Sequence, residues 1–127
     1  MTRINISSGS EFEKPIGFSR AVRIGNIISV SGTAPIAEDG TTAHRNDLYN
    51  QTKRCLEIMK KAITDAGGKL EDVIRTRILL KDISDWENAA KAHGEYFSGI
   101  LPACTFVEVS GFIKEDWLVE TEADCVI

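Results

Sequence analysis

Histidine and cysteine are scarce and poorly placed for metal binding. The chain holds two histidines, His44 and His93, and three cysteines, Cys55, Cys104 and Cys125. None of these has the short spacing of a metal site, and an odd number of cysteines does not suit a disulfide framework. Reduced thiols, no metal and no cofactor are therefore expected. Two isolated histidines also offer no persuasive catalytic triad. Positive charge is in deficit: 15 Lys and Arg against 19 Asp and Glu leave a formal net charge of −4. That balance, with no aromatic stacking platform, argues against a nucleic-acid partner. No apolar run is long enough to span a bilayer and no secretory leader is recognisable, so a cytoplasmic protein without a membrane partner is expected. Repeats, linkers and low-complexity tracts are missing too. Residues 1–127 are read as one domain, of ordinary globular composition at 43% hydrophobic and 27% charged residues.

Periodicity supplies the elements. Arg3 to Ile6 alternates like a short edge strand, and Phe18 to Ile24 alternates again before the turn signal Gly25-Asn26. Ile27 to Ser31 completes a hairpin, and Gly32 to Thr42 reads as loop. A helix follows, capped by Asn46 or Asp47, with Leu48, Gln51, Cys55, Met59, Ile63 and Ala66 at three- and four-residue spacing. Leu56 and Ala62 widen that stripe, and Gly67-Gly68 ends it. Val73 to Lys81 is a strand, with Val73, Arg75, Arg77 and Leu79 expected on one side. Ser84 is expected to cap a second helix whose stripe is Trp86, Ala89, Ala90, His93 and Phe97; His93 then reads as packed and hydrogen-bonded.

Two last strands, Cys104 to Val109 and Leu118 to Val126, close the chain. In the second, Glu120, Glu122 and Asp124 share one face while Val119, Ala123, Cys125 and Ile127 take the other. A solvated sheet face would account for the carboxylates, and Arg75 and Arg77 could pair with them or bind an anion. The fold class is α+β, a two-layer domain with two helices on one face of a mixed sheet. Val22, Ile28 and Val107 would remain on the other face and need burial, which predicts association of subunits.

The segment Pro102-Ala103-Cys104-Thr105, followed by Val119-Glu120-Thr121-Glu122-Ala123, resembles the P-A-R-[ST] and V-E-I-E-A segments of the reactive-intermediate deaminases (RidA-type, YjgF-like proteins). Phe18 to Val22 is similar to that family's Y-S-Q-A-V, and Val30-Ser31-Gly32 to its V-S-G turn. Gln51-Thr52 and Leu80-Lys81-Asp82 match its Q-T and L-K-D. The resemblance runs in order along nearly the whole chain. It implies a chorismate-mutase-like fold assembled as a homotrimer, with clefts between neighbouring subunits. It also implies hydrolysis of small imines and enamines to a carbonyl product and ammonia.

Carried over residue by residue, the resemblance makes Glu120 the carboxyl group that activates water. It brings Gly32 and the backbone around Phe106 close to the substrate, with Thr105 beside them, and makes Phe18 a cleft wall that lacks a tyrosine's hydroxyl. One departure stands out: Cys104 occupies the place of the arginine that anchors a substrate carboxylate. Three readings stay open. The substrate lacks a carboxylate, or another arginine such as Arg20, Arg75 or Arg77 holds it; Cys104 is itself reactive, against the plainer reading of an inert small residue; or the cleft only binds a metabolite.

Overall fold

The computed structural model describes all residues, 1–127. Six strands form one mixed sheet: β1 (Arg3–Ile6), β2 (Ala21–Ile24), β3 (Ile27–Thr33), β4 (Val73–Leu80), β5 (Ala103–Glu108) and β6 (Val119–Val126). Their order across the sheet is β1-β2-β3-β6-β4-β5, antiparallel throughout except for the parallel pair β4–β5. That parallel pair needs a crossover, and the helix α3 (Trp86–Phe97) supplies it. The long helix α2 (Leu48–Asp65) joins β3 to β4, and a four-residue helix α1 (Glu13–Ile16) sits between β1 and β2.

The amphipathic stripe of α2 is buried as its spacing dictates, with Cys55, Met59 and Ile63 fully inaccessible. Asp47 is the cap, accepting a hydrogen bond from the Asn50 amide at 3.1 Å. Gly67, at φ +92°, ends the helix in the left-handed region. Against this stripe lie Ala21, Ile28, Val30, Val73, Ala123 and Cys125 from the sheet and Phe97 from α3. A second cluster joins Leu48, Cys55, Ile78, Leu80, Ala89 and Val119. Both apolar clusters therefore lie on the helix side of the sheet. The two-layer α+β architecture with two principal helices on one face is as expected.

Four local expectations are corrected. Ile28 pairs with Arg23, whose Nη1 reaches the Ala66 carbonyl of the α2 end at 2.9 Å, so Ile28 is core on the helix side. Val73 also faces the helices, because the β4–β6 register slips between Val73 and Arg75 and breaks strict alternation. Ser84 does not cap α3: it lies in a single 3₁₀ turn (Ile83–Asp85), and Asp82 caps that turn by accepting from the Ser84 amide and hydroxyl. The strand expected from Phe18 begins only at Ala21, because residues 18 and 19 run irregularly and the chain bends at Arg20 before it pairs. The face opposite the helices carries Val22, Ile24 and Ile27 at one end and Val107 at the other, with Glu120, Glu122, Asp124, Arg75 and Arg77 between them.

Candidate functional site

The site assembles where β3 leaves the sheet. The β3–β6 register shifts between Val30 and Thr33, and this irregularity turns Gly32 toward the Glu120 side chain. A Cβ on Gly32 would stand 2.8 Å from Glu120 Oε1, so the carboxyl occupies room that only glycine leaves. Arg20 closes on the same residue from β2's entry: its Nη1 donates to the Gly32 carbonyl at 2.6 Å and to Thr33 Oγ1 at 3.1 Å. The guanidinium lies over the Phe18 ring, 5.5 Å from its centroid. Phe18, Arg20, Gly32 and Glu120 thus line one broad open groove.

Electrostatics in the groove are shaped by burial. Desolvation pushes the Glu120 carboxyl above its ordinary value, the Arg20 cation draws it back, and Glu122 adds to the rise. Desolvation likewise lowers Arg20, opposed by Glu13 and Glu120. Glu13 is itself buried, at 4% exposure. Burial would raise it, but the Ser8 hydroxyl donates to its Oε2 at 2.6 Å and the Ser8 amide at 3.1 Å, and the balance falls below the usual carboxylate range. That carboxylate pins the Ser7–Phe12 segment along the groove, where Phe12 meets Trp117 edge-on at 6.4 Å. Glu13 and Trp117 carried no marker in the sequence, because both depend on partners brought together by tertiary folding.

The remaining candidates lie elsewhere in the protomer. Glu120 stands opposite Leu79, and Leu79 opposite Val107, which places β5 two strands away, about 10 Å. Cys104 is three residues further along β5, about another 10 Å, and shares its face with Thr76 on the helix side. It is exposed. Phe106 also points to the helix side, edge-on to Trp86 at 5.8 Å and to His93 at 6.0 Å. Thr105 is on the open face and accepts from Arg75 Nη2 at 3.0 Å. Arg77 pairs with Asp124 at 3.2 Å and Glu122 at 3.6 Å. Both strand arginines are therefore engaged within the sheet, whereas Arg20 is the one beside Glu120. One protomer does not bring Cys104 or Phe106 to Glu120.

The histidines take no part in the groove's chemistry. His93 Nε2 is 2.8 Å from Thr76 Oγ1 and its ring stacks against Phe97 at 4.6 Å, with burial lowering its basicity. Cys55 is sealed in the core, where desolvation raises its thiol, and burial pushes Cys125 up to about 12. No helix is long and apolar enough to cross a membrane.

Residues 9–127 match the family model described as endoribonuclease L-PSP. The chain belongs to this family, the YjgF/RidA proteins. A RutC family protein of Pyrococcus abyssi is 40% identical over 111 residues, 87% of each chain. The 3-aminoacrylate deaminase RutC of Acinetobacter baylyi is 37% identical over 100 residues, 79% of each. A YjgF/YER057c/UK114 family structure from Mycobacterium tuberculosis superposes with a TM-score of 0.90 at 40% identity, covering 99% of this chain and all of that one. Family and fold are thus those the sequence motifs pointed to.

Proposed function

We propose that this YjgF/RidA family protein hydrolyses a small reactive imine or enamine, with Glu120 as the base that activates water. The observation that carries this reading is the desolvated Glu120 carboxyl, held against Gly32 beside Arg20 with its affinity for protons raised. A base with a raised pKa binds the proton of an attacking water more readily. An enamine first takes a proton at carbon and becomes the imine. Water then adds to the C=N carbon, giving up a proton to Glu120. The resulting carbinolamine receives a proton on nitrogen and expels ammonia, leaving a carbonyl; no oxidant, metal or cofactor is consumed. A relative named as a 3-aminoacrylate deaminase supports this substrate class.

The working unit is a homotrimer. Cys104, Thr105 and Phe106 of one copy then complete the cleft around Glu120 of the next, which accounts for their separation within a protomer. The open sheet face, with Ile27 at 54% exposure and Val107 at 42%, supports association. The test is release of keto acid from freshly generated 2-iminopropanoate and 2-iminobutanoate, above the spontaneous rate. Wild type is expected to accelerate it, and Glu120→Ala to lose at least 100-fold of that acceleration, the scale of general-base catalysis. Wild type that gives no acceleration, while Cys104→Arg does, would instead mean a substrate without the usual carboxylate contact. Should neither variant nor wild type turn over, the cleft is a metabolite-binding site.

A further inference from the structure

Arg20 is 7% exposed, yet it is a member of none of the chain's ion pairs. Buried arginines are normally paired, because a desolvated cation without an anion is costly. Its hydrogen bonds make the imbalance explicit. A guanidinium has five N–H donors. Nη1 serves Gly32 and Thr33, whereas Nε and Nη2 have no protein acceptor. Neither atom is sealed off, since the only fully buried side-chain nitrogen or oxygen atoms lacking a partner are Trp117 Nε1 and Thr121 Oγ1. Two adjacent donors of a planar fork therefore open on the groove that Glu120 lines. The Phe18 ring and the Gly32 carbonyl hold the plane of that fork in place.

We propose that Arg20 binds the carboxylate of the substrate, through Nε–H and Nη2–H, and so replaces the arginine that Cys104 displaces. The fork matches a carboxylate in a bidentate manner, and the neighbouring Glu13 and Glu120 carboxylates leave it free, since neither accepts a hydrogen bond from it or forms an ion pair with it. The substrate class narrows to imino or enamino acids whose carboxylate lies within a few bonds of the C=N carbon, because Arg20 and Glu120 both close on Gly32. The anchor and the base then belong to the same protomer. This inference rests on the deaminase reading for its substrate, but the anion site itself can be tested without turnover.

Pyruvate, the product of 2-iminopropanoate hydrolysis, and methyl pyruvate, its uncharged ester, serve as stable probes. Both are titrated into full-length wild type, Arg20→Lys and Arg20→Gln, with thermal melts confirming folding. Wild type is expected to prefer pyruvate at least tenfold, the range of a charge-assisted hydrogen bond. Arg20→Gln is expected to erase that preference while leaving the ester's affinity within twofold, which a merely structural defect would not do. A preference that persists in folded Arg20→Gln overturns the proposal and means that another cationic group holds the carboxylate. Independently of that variant's folding, the Nε–H resonance of Arg20 in wild type, assigned by its absence in Arg20→Lys, should shift with pyruvate and not with the ester. An unmoved resonance overturns the proposal as well. Arg20-dependent pyruvate binding without keto acid release removes only the deaminase reading; release without that dependence removes only this one.

Discussion

Gly32 and Glu120 show how tightly a single side chain can be specified. A methyl on Gly32 meets only the far end of a flexible glutamate, so Gly32→Ala is expected to fold normally while displacing the carboxyl. Misplacement of a catalytic group by such amounts costs on the order of 10- to 100-fold in kcat, which steady-state kinetics would read. Glu120 also leaves a signature in stability. Its proton affinity is raised by folding, so its favourable contribution is full below the ordinary value of 4.5 and is lost as pH rises through the folded value. Glu120→Gln should consequently melt higher than wild type at pH 7, with the gap closing as pH falls toward 4.5. Glu13 has the opposite sign. Its lowered value means its contribution is present above 4.5 and lost as pH falls through the folded value. Glu13→Ala, which leaves the Ser8 amide and hydroxyl without their acceptor, should cost about 1–3 kcal/mol at pH 7 in denaturant unfolding and less in acid, where the charge-dependent part is gone. Glu120 was singled out in the sequence by its motif. Glu13 was not, because its burial depends on a segment that no periodicity describes.

The element that organises the fold is α2, and its legibility was nearly complete. Eight residues of its stripe are buried where three- and four-residue spacing put them, since a helix face depends on local geometry alone. What spacing did not disclose is the task of Gln51. Its Nε2 donates to the Ala43 and Asp116 carbonyls, and its Oε1 accepts from the Leu118 amide at 2.8 Å. One fully buried amide thus ties the helix to the loop before it and to the start of β6, two residues from Glu120. Gln51→Met keeps the volume and abandons three backbone groups. It should destabilise by about 3 kcal/mol, as a shift in the urea midpoint at unchanged slope. The strands were read less well than the helices. Alternation fixes faces only while the register holds, and the shifts at Val30/Thr33 and Val73/Arg75 move Val73 to the helix side and aim Gly32 at Glu120. The helix α1 escaped notice because four residues containing Pro15 carry no stripe.

At the scale of the whole molecule, the sheet has one covered face and one bare face, and the bare face mixes apolar ends with a charged centre. Arg77 offsets Glu122 and Asp124 within the protomer, which leaves Glu120 the carboxylate directed to the groove. Sedimentation is expected to give three times the 14.0 kDa chain mass; a monomer at micromolar concentration would contradict the trimeric cleft. The family and the two-layer class could be read from motifs. The division of the motif residues into a Glu120 group and a Cys104 group could not, because strand order is a property of the assembled sheet. The most direct measurement of the central claim is the pH dependence of keto acid release from 2-iminopropanoate, corrected for spontaneous hydrolysis, in wild type and Glu120→Gln. Catalysis in wild type should rise along a single ionisation above 4.5, and Glu120→Gln should be low and flat across the same range. Identical profiles in the two proteins would contradict Glu120 as the base.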